Sequence, residues 1–136
     1  MTVTMSLEIE SGIAINEIAL MLSEFGAELC ADSDSDSDSD SVSGNFEISN
    51  AYFVFHQCGG LDEIVAEGVD VNWVVGVRGA FHCPINSLAA SADEIKSFLS
   101  FLSEKKPCRF ILSFQYESIY AIRDEDGLRF LKEMVG

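Results

Sequence analysis

Two histidines and four cysteines carry most of the covalent and metal chemistry this chain could offer. His56-Gln57-Cys58 and His82-Cys83 bring an imidazole and a thiol close together twice. If the strands holding them were neighbours, the four groups could approach the tetrahedral set that zinc takes. Strand periodicity argues against it. His56 and Cys58 share one strand face, whereas His82 and Cys83 point to opposite faces, and no Cys-x-x-Cys pair fixes the geometry. A nucleophilic thiol needs a base and a cation or helix N-terminus to lower its pKa. Cys58 and Cys83 are the candidates, and Arg78 is the one basic residue near them. The paired acids Asp62-Glu63 and Asp124-Glu125-Asp126 could serve acid–base chemistry. Both sets fall where helices are expected to begin, however, and there acids complement the helix dipole. No phosphate-cradling glycine loop or dinucleotide fingerprint occurs. No catalytic residue, metal or cofactor is therefore expected.

What remains is surface chemistry. Glu47, Asp62, Glu63, Glu67 and Asp70 lie close together in sequence, interleaved with Tyr52, Phe53 and Trp73. Acids around aromatic anchors suit a tight site for a basic protein: the charges speed encounter, and the aromatics supply the energetic centre. The charge of the whole chain points the same way. Its net charge is −15, and no lysine or arginine precedes Arg78, while fifteen acids do. From Arg78 onward eight basic residues balance eight acids. Such a one-sided field attracts a cationic partner and repels nucleic acid and anionic membrane.

The elements that must position these groups follow from periodicity. A chain of 136 residues, 48% of them hydrophobic, is one domain able to bury a core without metal or disulfide staples. No apolar run reaches the roughly 18–20 residues of a membrane span, and the first residues carry no basic region, so no signal peptide is expected. The widely spaced cysteines suit reduced core thiols in the cytosol. Thr2–Ile9 alternates as a strand, and Ile15, Ile18, Ala19, Leu22 and Phe25 form a helical stripe within Ile13–Leu29. Residues 32–43 are dominated by five Asp-Ser repeats and read as a disordered loop. They lack the glycine and glutamate that a calcium loop wants at its sixth and twelfth positions. Asn45–Cys58 reads as extended with a stop at Gly59-Gly60, then Leu61–Glu67 as a turn or loop. Val69–Cys83 reads as a long strand. Ser91 and Glu94 resemble a capping box for a helix presenting Ile95, Phe98, Leu99 and Leu102. Cys108–Phe114 and Ser118–Ile122 read as strands, and Asp124–Met134 as a closing helix. The expected fold is α+β, a mixed or antiparallel sheet with about three helices packed against it.

The acidic stretch from Glu8 to Asp70, free of lysine and arginine, together with Tyr52, Phe53 and Trp73, resembles the character of bacterial toxin immunity proteins. The likeness covers the whole chain and rests on no signature motif. It implies a cytoplasmic, stoichiometric inhibitor without enzyme activity. Such an inhibitor would occlude the active site or an exosite of a basic protein toxin, commonly a nuclease delivered by secretion or cell contact. Glu47, Asp62, Glu63, Glu67 and Asp70 would pair with toxin lysines and arginines, with Tyr52 or Trp73 as anchor. Two other classes stay open: a small enzyme or ligand-binding domain with a cleft lined by His56, His82 and Cys83, and a homo-oligomeric structural protein.

Overall fold

A computed structural model of the chain describes residues 2–29, 41–62, 73–106, 108–114, 118–124 and 127–131. The alternating run at the start forms β1 (Thr2–Glu10), which lies inside the sheet rather than at its edge. It pairs on one side with β5 (Val75–Pro84) and on the other with β6 (Phe110–Phe114). Beyond β5 come β4 (Tyr52–Asp62), β3 (Ser41–Asn45) and the short β2 (Glu28–Leu29). Beyond β6 come β7 (Ser118–Asp124) and β8 (Gly127–Phe130). The eight strands therefore run in the order β2-β3-β4-β5-β1-β6-β7-β8, antiparallel at every pairing. The chain is a single α+β domain with an antiparallel sheet.

Both helices among the described residues, α1 (Ile15–Phe25) and α2 (Leu88–Lys105), cover the same sheet face. The reason is visible along the strands. Met5, Leu7 and Ile9 of β1 continue across β5 as Phe81, Gly79 and Val77, then across β4 as Phe53, Phe55 and Gln57. That face is apolar, and the helices bury Ile18, Met21 and Leu22 and then Ile95, Phe98, Leu99 and Leu102 against it. Phe98 packs its ring edge-on against Phe25 and tilted against Phe46 and Phe55. Gly79 has a steric duty here. The Phe55 ring lies so close over it that a Cβ would collide with ring carbons.

The opposite face carries the polar rungs: Asn45, Tyr52, His82 and Thr4 in one row, Ser41, His56, Arg78 and Glu8 in another. Glu8 and Ser113 on this face are nonetheless fully buried.

Several expectations need correction. Of the two sheet types expected, the antiparallel one is found, but two helices, not about three, appear among the described residues. Asp124–Met134 does not begin as a helix: Asp124 ends β7 and pairs with Gly127, whose left-handed φ of 112° suits a tight reversal, and β8 follows. Acids followed by apolar and basic residues fit that hairpin as well as a helix start. Residues 132–134 lie outside the described residues. Asn45–Cys58 is not one extended piece, because a turn over Phe46–Asn50 separates β3 from β4. Gly59-Gly60 is not a stop; β4 passes through it to Asp62 with a register irregularity after Gln57. Ser41–Ser43, expected within the Asp-Ser loop, belong to β3, while 32–40 lie outside the described residues. The helix expected over Ile13–Leu29 is shorter, closed by Gly26 in left-handed geometry, and Glu28–Leu29 turn into β2. Ser91 is not an N-cap: α2 starts one turn earlier behind Ser87, and Ser91 is buried inside it.

Candidate protein-interaction surface

The histidines and cysteines are placed apart by strand register. His82 stands opposite Tyr52, and His56 opposite Arg78, so the two imidazoles are separated by four positions, about 13 Å along the ladder. His82 accepts or donates a 3.1 Å hydrogen bond between Nδ1 and the Thr4 hydroxyl, and its ring stacks on Tyr52. Cys83 points to the other face and is buried in the core. Burial pushes its thiol pKa up, with the neighbouring Ser91 hydroxyl pulling the other way. Cys108, likewise buried, is pushed up to about 11, mainly by loss of solvation. Neither thiol has the lowered pKa of a nucleophile. The described residues contain no cluster of three or more groups placed to hold a metal ion. A shallow pocket of about 270 Å³ is lined by Glu10, Ser11, Gly12, Ile13, Lys106 and Cys108. Its two charged groups already have partners, Arg109 for Glu10 and Glu17 for Lys106.

The acidic and aromatic residues expected to form one partner site are divided. Glu63, Glu67 and Asp70 lie outside the described residues. Asp62 ends β4 opposite Val75, and half-buried Trp73 precedes β5 at the same end of the ladder. Tyr52 opposes His82 seven positions away along β5, about 24 Å at strand rise. Glu47 belongs with Tyr52, exposed on the turn that joins β3 to β4. Phe53, the third aromatic of the set, is fully buried in the core.

That turn is built with care. Phe46 N–H donates to Ala51 O, Asn50 N–H to Phe46 O, and the Asn45 side-chain amide to Asn50 O. Asn50 adopts a φ of 61°, alone among the described non-glycine residues in that region. Two further backbone donors at the tip, Ile48 N–H and Ser49 N–H, both reach the side chain of Glu94 on α2, at 3.1 and 2.6 Å. Glu94 is only 8% exposed. Buried Ser49 offers its hydroxyl oxygen to Ala51 N–H, and its carbonyl accepts from the Ser87 hydroxyl. So the turn is tied to α2 and to the 3-10 turn Ile85–Ser87.

The apolar side chains displayed there are unlike those of an ordinary turn. Ile48 is 80% exposed, Ile85 50% and Tyr52 40%. Sequence reasoning missed Ile48, Ile85 and the turn-holding Glu94. Ile48 could have been suspected, since an isoleucine between Glu47 and Ser49-Asn50 sits in turn chemistry that normally excludes it.

Several acids away from this end are paired within the molecule. Glu8 meets Arg78 at 3.1 Å, Glu10 meets Arg109 at 2.9 Å, and Glu17 meets Lys106 at 3.2 Å. Asp124 meets Arg129, the Arg123 guanidinium donates to the Ser103 hydroxyl, and Lys96 and Lys105 lie over Phe130 and Phe101. Glu24, Glu28 and Glu47 are exposed and form no ion pair among the described residues. Glu28 pairs through its backbone with Asn45 at the root of the turn, and the Glu47 carboxyl lies beside Gly26. The cations among the described residues are thus engaged away from the acids around the β3–β4 turn.

The fold and this end together define an α+β domain that offers a rigid, acid-rimmed apolar tip and no assembled catalytic group among the described residues. Compared with known protein families, curated proteins and solved structures, the chain matches none. No helix among the described residues is long and apolar enough to cross a membrane.

Proposed function

We propose that this chain is an immunity-type protein, a stoichiometric inhibitor that binds and neutralises a basic protein toxin and performs no chemistry itself. The observation that carries the reading is the division of its acids. Glu8, Glu10, Glu17 and Asp124 are paired with cations within the molecule, whereas Glu24, Glu28 and Glu47, like Asp93 and Glu104 of α2, form no ion pair among the described residues, and Glu47 sits next to exposed Ile48. A binding site for a cationic protein needs both parts. A toxin that acts on nucleic acid would carry such a basic surface, so nuclease activity is the first to assay in the partner.

The test has two stages. The protein is used as bait in its native lysate at low and then at high salt, and a single basic polypeptide is expected to remain in equimolar amount. That polypeptide, expressed alone, should arrest bacterial growth, and co-expression of this chain should restore it. Retention that vanishes with salt, or a partner harmless when expressed, would sink the immunity reading.

A further inference from the structure

We infer that the β3–β4 turn is the partner-binding tip, with Ile48 as the anchor that enters an apolar pocket on a basic protein. Ile85 and Tyr52 flank it, and Glu47, Glu28 and Glu24 meet the basic rim of that pocket. The assignment deepens the inhibitor reading and rests on it for the partner's basic character.

Preorganisation argues for it first. An isoleucine exposed at a turn tip gains nothing from the fold, and hydration of its side chain is unfavourable. Yet the turn that displays it is held by hydrogen bonds from three directions, including both oxygens of Glu94. A tip fixed before binding loses little conformational entropy on docking, so the burial of Ile48 is available for affinity. Geometry argues second. Tyr52 is held against His82, and Ile85 sits on the 3-10 turn that Ser87 ties to Ser49, so the apolar groups share one end of the sheet. Charge argues third. The acids around this tip have no cations beside them among the described residues, so an acidic partner would be repelled and a basic one drawn in. Asp62 and Trp73 lie at the far end of the β4–β5 ladder and fall outside this surface.

The test is photo-crosslinking of the full chain in the cells that make it. A photoreactive residue replaces Ile85, and in a separate experiment Leu131, which is also exposed but lies elsewhere. The expected result is one adduct from position 85, with a basic polypeptide, and none with that polypeptide from position 131. Adding Ile48→Asp or Ile48→Ser should reduce the adduct by about ten-fold or more, and Glu47→Lys should reduce it most at low salt. Unchanged thermal melting of each variant shows that the loss is not unfolding. No adduct from position 85, an adduct indifferent to Ile48, an acidic partner, or capture of the same polypeptide from Leu131 would each overturn the assignment. A basic adduct partner that is harmless when expressed leaves the tip standing and removes the immunity role.

Discussion

Glu94 is a residue whose job is set by what it touches rather than by its place in a pattern. In sequence it looks like the third residue of a capping box. In the fold it is a buried acceptor for two backbone N–H groups of another element. Leaving those donors unpaired costs about 1–3 kcal/mol. Glu94→Ala should therefore lower the unfolding free energy by about that amount in denaturant titrations, and Glu94→Gln, which keeps one acceptor oxygen, should lose less. If the β3–β4 turn is the binding tip, Glu94→Ala should also weaken the partner complex beyond its effect on folding. The buried thiols give a second residue-scale expectation. The Cys108 pKa is pushed up to about 11 from an ordinary value of 9.0. A group that binds its proton more tightly when folded stabilises the fold below its unfolded pKa and loses that contribution as pH rises through the folded one. Stability attributable to Cys108 should thus hold at pH 8 and fade between about pH 9 and 11, and Cys108→Ala should flatten that decline in pH-dependent melting curves. In the native protein at pH 8, alkylation of Cys108 should follow global unfolding rather than precede it.

At the level of elements, α1 shows how a helix lacking a good N-cap residue is held. Ala14 occupies the cap position and has no side-chain acceptor, but Glu17 folds back to accept from Ala14 N–H and also meets Lys106 beyond the end of α2. The Ala14 hydrogen bond first, and Lys106 second, hold the Glu17 carboxyl below its usual range. Lys106→Ala should raise that pKa part of the way back, visible in a carboxyl NMR titration. A lowered folded pKa gives a contribution present at neutral pH and lost as pH falls through the folded value, so the variant should differ least from wild type in acid. The apolar stripes of β1, α1 and α2 were legible in the sequence because a period of two or of about 3.6 fixes which side chains face a core. The hairpin at Asp124 was not, since two acids before a glycine suit either a helix start or a turn, and the Ala121–Phe130 pairing that decides it is tertiary. Strand order was equally hidden. Nothing local says that β1 lies between β5 and β6, or that the β4–β5 register sets Tyr52 and Trp73 at opposite ends of one ladder.

For the molecule as a whole, the question is how a net charge of −15 is carried without undoing the fold. Part of the answer is the use of C-terminal cations to tie down N-terminal acids: Arg78 for buried Glu8, Arg109 for Glu10 and Lys106 for Glu17. These contacts join β1 and α1 to elements far along the chain, so the charge segregation of the sequence becomes cross-links in the fold. Removing Arg78 would take from buried Glu8 the 3.1 Å ion pair it makes across the sheet, a larger fault than loss of an exposed pair. Glu24, Glu28 and Glu47 are different, because their mutual repulsion acts on the folded state and has no compensating ion pair among the described residues. Salt screens such exposed charges over about 10 Å at 0.1 M ionic strength. The combined variant Glu24→Gln, Glu28→Gln and Glu47→Gln should accordingly melt at a higher temperature than wild type at low salt, with the gap closing as salt is added. The same variant should associate more slowly with the basic partner at low salt, because attraction over distance sets the encounter rate. Stability gained together with association lost would mark these acids as retained for binding at the expense of folding. A variant that melts like wild type at every salt concentration, and binds as fast, would show that the field around the tip is inert.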